Sequence, residues 1–124
     1  MELKFKEITE RIIGASYEVH NFLGNGFQEV IYQRALAFEM SKSNLVFERE
    51  KQQLIYYKEL EEPIGNRRVD FVVEGKILVE LKTVINLDDV HTAQILNYLK
   101  AYKMEVGLLI NFGSNRLTFK RFVY

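Results

Sequence analysis

The sequence predicts an α/β fold: a mixed central β-sheet flanked by α-helices. Two stretches with helical spacing of apolar residues open the chain, short strand-like segments fill its middle, and one further helical stretch separates the last two β segments from the rest. The resulting order, ααβββαββ, implies a mixed sheet with helices packed on it.

Taken in order, residues 7–23 place Ile8, Ile12, Ala15, Val19, Phe22 and Leu23 at helical spacing, and Gly24-Asn25-Gly26 stops the pattern. A second helix is predicted over residues 28–43, with Ile31, Ala35, Leu36 and Phe38 facing inward and Ser43-Asn44 closing it. Residues 45–57 read as extended, because Leu54-Ile55-Tyr56-Tyr57 is rich in strand formers. A turn at residues 61–66 leads into strands at 68–73 and 77–82, around Gly75. Residues 83–87 form a loop, and Asp88 or Asp89 can cap a helix reaching about residue 103. The apolar run 106–112 is typical of a buried strand, and Gly113-Ser114-Asn115 turns it into a last strand over 117–122.

A length of 124 residues suits one domain with a single core. An apolar share of 48% and a charged share of 27% are those of an ordinary globular chain. With no Cys, disulfides, thiolate metal sites and cysteine nucleophiles are excluded. Seventeen basic residues balance seventeen acidic ones, so net charge gives no general drive toward nucleic acid and leaves only a local basic face for it. No apolar run is long enough to span a bilayer, and the opening MELKFKEITE lacks an apolar leader segment, so the chain reads as cytoplasmic with no membrane partner.

The middle hairpin permits a sharper argument. Val69, Phe71, Val73, Ile77, Val79 and Leu81 are all apolar and all odd-numbered. If they share a buried face, odd residues must oppose odd ones, which a three-residue loop, Glu74-Gly75-Lys76, achieves by pairing Val73 with Ile77. That register sets Asp70 opposite Glu80, with Lys82 one pleat further along the same face. Two carboxylates so placed repel unless positive charge lies between them. Oxygen ligands of this kind suit Mg²⁺ or Mn²⁺, and Lys82 could orient or deprotonate a nearby water for phosphodiester hydrolysis. The same three residues could instead form a solvated strand face with cross-strand ion pairs. Against this, Glu80 and Lys82 follow Leu78 and Val79 in a strand apolar enough to be interior, where unpaired charge is costly.

Four segments carry a resemblance: GFQEVIY (26–32), RRVDFVVEGKILVELK (67–82), HTAQILNYLK (91–100) and GLLINFG (107–113). In this order, and over residues 8–121, they resemble the GxxExxY protein family, which is grouped by fold with the PD-(D/E)XK nucleases. The resemblance implies a restriction-endonuclease-like, nuclease-type core and leaves activity open. It implies Asp70 and Glu80 as metal ligands, the Leu81 carbonyl as a further oxygen, Lys82 as the catalytic lysine, Glu29 as an additional acidic residue, and Gln94 as the polar residue of the following helix. Val69 stands where the superfamily's name-giving proline would be.

Other polar residues admit two readings. Glu29 and Tyr32 share a helical face, as site residues or as a dipole-complementing Glu beside a half-buried Tyr. His91, Gln94 and Tyr98 form a stripe that either faces a cleft or is the solvent face of an amphipathic helix. His20 is expected to be structural. Arg67 and Arg68 could contact phosphate oxygens or neutralise Glu61 and Glu62, and Lys100, Lys103, Arg116, Lys120 and Arg121 could collect into a basic patch. No phosphate-binding glycine loop, serine-nucleophile signature, zinc spacing or dinucleotide fingerprint is present. The expectation is therefore a Mg²⁺- or Mn²⁺-dependent hydrolase of nucleic acid. The alternative is a catalytically silent binding or regulatory module, and exposed Tyr56, Tyr57 and Phe122 could make either a homodimer.

Overall fold

The computed structural model describes residues 4–124. The first three of the ten residues read as lacking a leader therefore lie outside the described residues. The elements follow the predicted order: α1 (Lys6–Leu23), α2 (Glu29–Lys42), β1 (Phe47–Ile55), β2 (Gly65–Val73), β3 (Ile77–Lys82), α3 (Asp89–Tyr102), β4 (Val106–Asn111) and β5 (Thr118–Val123). Among the described residues no helix is long and apolar enough to cross a membrane.

The five strands lie side by side in chain order. Neighbours pair antiparallel except β3 and β4, which run parallel and are joined by α3. This central pair is covered on both faces, which is why ILVELK and VGLLIN read as nearly unbroken apolar runs. On one face α1 and α2 bring Ile12, Val19, Tyr32 and Leu36 against Phe71, Val79, Leu81 and Leu108. On the other, α3 brings Ile95, Tyr98 and Leu99 against Val69, Val72, Leu78 and Leu109. Each aliphatic side chain fully buried this way contributes roughly 1.5–3 kcal/mol relative to exposure. Gly107 lets α3 close on β4, since a Cβ there would sit 3.2 Å from both Ile95 and Leu99 side chains.

The hairpin has the predicted register: Val73 pairs with Ile77 and Phe71 with Val79. Glu74 and Gly75 both adopt left-handed backbone, at φ 55° and 64°, and the Lys76 N–H donates to the Val73 carbonyl. Two consecutive positive φ values match the turn to the sheet's twist.

Val69 departs from the expected common face. Phe71, Val73, Ile77, Val79 and Leu81 share the α1–α2 face, but Val69 lies on the α3 face. Strand alternation breaks at Asp70. There the β1–β2 ladder goes from Arg49–Phe71 to Lys51–Val69 and skips Glu50 and Asp70, with Glu50 left-handed at φ 53°.

The helix faces also differ from expectation. Phe22 is 89% exposed and Phe38 62%, and Ile31 is exposed as well. α2 is apolar on several sides and turns Tyr32, Leu36 and Met40 inward at i, i+4, i+8 spacing, with Gln33 alongside. On α3, Val90 and Ala93 face solvent while Ile95, Tyr98 and Leu99 are buried. The His91–Gln94–Tyr98 stripe therefore turns toward the sheet and is not the helix's solvent face.

Candidate active site

The site forms where the backbone ladders fail. Beyond the Phe71–Val79 pair, β2 and β3 no longer pair through the main chain, and two carboxylates take over. The Asp70 N–H donates to Glu80 Oε1 at 2.9 Å, and the Leu81 N–H donates to Asp70 Oδ2 at 2.8 Å. Each acidic side chain thus braces the other's strand, which brings together the two residues that the register placed opposite one another. In an extended strand a residue's N–H and C=O point to the same neighbour, so the Leu81 carbonyl faces this opening too. Lys82 follows, half-buried, with its own carbonyl accepting from the Phe112 N–H at 2.8 Å on the β4 side.

α2 supplies the next layer. Glu29 stands half-buried in its first turn, and one turn on Gln33 Nε2 donates to Asp70 Oδ1 at 2.8 Å. Gln33 is the site residue that sequence reasoning missed. The available signal was its i+4 spacing from Glu29, which puts both polar side chains on one helical stripe.

The electrostatics are those of crowded, desolvated acid groups. Glu80 is only 5% exposed. Burial first, and the Asp70 carboxylate second, push its pKa up to about 8, although the Asp70 N–H and Lys82 pull the other way. Burial also raises Asp70, opposed by the hydrogen bonds from Leu81 and Gln33 and by Lys82. Glu29 is raised by burial and by Asp70, and lowered by Lys82. Three acids held above their ordinary range beside one lysine describe a pocket short of positive charge.

The remaining predicted residues divide. Tyr32 is fully buried, not half-buried: its hydroxyl donates to the Gly24 carbonyl at 2.6 Å, accepts from the Phe27 N–H at 3.2 Å, and its ring stacks on Phe112. It staples the α1–α2 turn. His91 Nδ1 accepts from the Asp88 N–H at 3.1 Å and completes a capping box at the start of α3, where Asp88 is the N-cap. Gln94 Nε2 donates to the Tyr98 hydroxyl at 3.3 Å. Tyr98 is buried, and Glu80 acts on it to raise its pKa, second to burial itself. Arg68 is exposed on β2, whereas Arg67 lays its guanidinium over the Tyr98 ring, 4.6 Å from the centroid. Among the described residues neither arginine pairs with Glu61 or Glu62. His20 Nε2 lies 3.0 Å from the Ser114 carbonyl and packs near Phe112, a structural position as expected.

The loop leaving Lys82 is clamped. Buried Asn111 accepts from the Val84 and Gly113 N–H groups and donates to the Val84 carbonyl. Gly113 is required for this approach, because a Cβ there would lie 2.4 Å from the Thr83 carbonyl carbon and the Val84 nitrogen.

Among the described residues no group of three or more His, Asp or Glu side chains could hold a metal ion. Glu29 thus acts on Asp70 electrostatically without joining it in such a cluster. The smaller set of two carboxylates and one backbone carbonyl still fits Mg²⁺ or Mn²⁺, which accept hard oxygens and bind through one or two carboxylates with water completing the shell. Zinc sites are built mainly on His nitrogen and Cys sulfur, which this set lacks.

No curated protein matches the chain. Its fold is similar to the crystal structure of SSO0001, with a TM-score of 0.55 at 21% identity. The match covers 95% of this chain and 58% of that one, so the chain spans less than two thirds of SSO0001. A family model of the PD-(D/E)XK nuclease superfamily matches residues 6–122. The chain belongs to that superfamily, and its mixed five-stranded sheet with three helices is the restriction-endonuclease-like α/β arrangement the sequence led one to expect.

Proposed function

We propose that this chain is a Mg²⁺- or Mn²⁺-dependent nuclease of the GxxExxY type that hydrolyses phosphodiester bonds in DNA or RNA. The observation that carries the reading is the reciprocal clasp of Asp70 and Glu80 at the open end of β2 and β3, with Lys82 beside it. PD-(D/E)XK nucleases usually use divalent metals. Asp70, Glu80 and the Leu81 carbonyl would hold the ion, which when bound supplies charge stabilisation to the phosphoryl group and a more acidic water. Gln33 fixes the Asp70 carboxylate, Lys82 offsets the phosphate charge and orients the attacking water, and Glu29 tunes both through its charge. Gln94 and Tyr98 border the site from α3, and Arg68 offers an exposed cation to a neighbouring phosphate. His91, engaged in capping, and Tyr32, buried in the turn, are supporting residues in this reading. The test is metal-dependent cleavage of labelled DNA and RNA by wild type, Asp70→Ala and Lys82→Ala. Both variants are expected to lose cleavage, and activity unchanged in both would overturn the assignment.

A second reading has its own support. Both Asp70 oxygens and one Glu80 oxygen already accept hydrogen bonds from the protein, as they would in a module that keeps the fold without turnover. Calorimetry separates the two: no heat with Mg²⁺ or Mn²⁺ at pH 8 favours the silent module.

A further inference from the structure

Between the outer part of the β1–β2 ladder and α3 lies a groove of about 370 Å³, lined by Gln53, Leu54, Tyr56, Arg67, Asn97 and Lys100 among others. Its charged residues are both cations. Among the described residues neither Arg67 nor Lys100 forms an ion pair, although the chain as a whole is neutral. Arg67 reaches this wall because strand alternation breaks at Asp70. Val69 crosses to the α3 face, and Arg67, two residues earlier, follows it onto Tyr98. The guanidinium carbon lies over the ring, and Arg67 Nε, like Gln53 Oε1 opposite it in the ladder, is buried without a hydrogen-bond partner. Exposed Leu54 and Tyr56 add apolar surface to the groove's lining.

We propose that this groove is a nucleotide subsite for single-stranded nucleic acid. Arg67 and Lys100 engage a backbone phosphate, and a base stacks on Tyr56. Cations that track the backbone beside an exposed aromatic are the chemistry of single-strand binding, which reads no particular sequence. The subsite leads to the carboxylates: Arg67 is three residues of extended strand, roughly 10 Å, from Asp70, and Tyr98 under its guanidinium is within the electrostatic reach of Glu80. The proposal rests on the nucleic-acid reading of the site and names the strand that site would receive.

The test is fluorescence anisotropy with a labelled oligonucleotide in EDTA, so that binding is measured without turnover. Lys100→Glu is expected to weaken single-strand binding about tenfold or more and to reduce the salt slope by roughly 0.7 for the lost phosphate contact. Tyr56→Ala should weaken it several-fold without changing that slope. Lys42→Glu, on the other face of the sheet, makes the same charge change and should have little effect. Arg67→Lys keeps the charge but loses the guanidinium that lies over the Tyr98 ring, and is expected to fall between wild type and Lys100→Glu. Equal losses for Lys100→Glu and Lys42→Glu, or tighter binding of a duplex than of the single strand, would overturn the subsite. Asp70→Ala separates the two proposals: retained binding with no cleavage supports both. Cleavage that survives in Asp70→Ala and Lys82→Ala while Lys100→Glu still weakens binding removes the catalytic assignment alone.

Discussion

Glu80→Gln isolates the charge at the centre of the site. Glutamine keeps an oxygen to accept the Asp70 N–H, which Glu80 now receives at 2.9 Å, and removes only the ionisable proton. In the native protein burial and Asp70 raise Glu80 from 4.5 to about 8. The native carboxyl thus holds its proton more tightly than the unfolded one. The stability this confers is fully present below pH 4.5, declines as pH rises, and is lost by about pH 8. At 1.36 kcal/mol per pH unit, three and a half units set a ceiling of about 5 kcal/mol. Urea unfolding of both proteins in EDTA, from pH 5 to pH 9, should show wild type losing stability steeply while the variant stays flatter, so that the gap widens by several kcal/mol. At pH 8, Mg²⁺ or Mn²⁺ should restore wild type by about 2.7 kcal/mol at one hundred times its dissociation constant, and the variant by much less. Parallel curves for the two proteins would refute the claim that Glu80 is a buried, charge-starved acid.

Further outcomes follow from the same contacts. Gln33→Leu removes the donor to Asp70 Oδ1; Mn²⁺ affinity by calorimetry should fall about 10- to 100-fold, as for other residues that orient a ligand. Tyr32→Phe removes the bonds to Gly24 and Phe27; chemical denaturation should show a loss of roughly 1–3 kcal/mol with unchanged cleavage per folded molecule. His91→Ala opens the α3 capping box and should lower stability by about 1 kcal/mol, again without effect on cleavage. Gly113→Ala forces a Cβ against the Thr83–Val84 backbone; it should destabilise by about 1–3 kcal/mol or more and, by shifting the loop after Lys82, also slow cleavage.

What could be foreseen from sequence was whatever a strict period encodes. The hairpin register follows from five apolar side chains that must share a face, and it set Asp70 opposite Glu80 from periodicity alone. The same rule failed for Val69, because the break at Asp70 depends on a left-handed Glu50, a conformation that glutamate does not signal. α2 shows the opposite difficulty. Ile31, Leu36 and Phe38 offered an apolar face, but packing chose Tyr32, Leu36 and Met40, and this is what turns Gln33 toward Asp70. On α3 the polar stripe was visible, yet its direction was not. Tyr98 enters the core because its ring fills the α3 face while its hydroxyl takes a bond from Gln94. Lys100 joins Arg67 at one groove, while Lys120 lines a separate depression with Ile85 and Thr118. A list of basic residues cannot make that distinction.

The most direct test of the central claim is an anomalous-difference map from a crystal of the protein soaked in Mn²⁺ at pH 8. One strong peak is expected at the open end of β2 and β3, within ligand distance of the Asp70 and Glu80 carboxylates and the Leu81 carbonyl, and absent from an Asp70→Ala crystal. An empty site in wild type, with Glu80 still bound only to the Asp70 N–H, would contradict it.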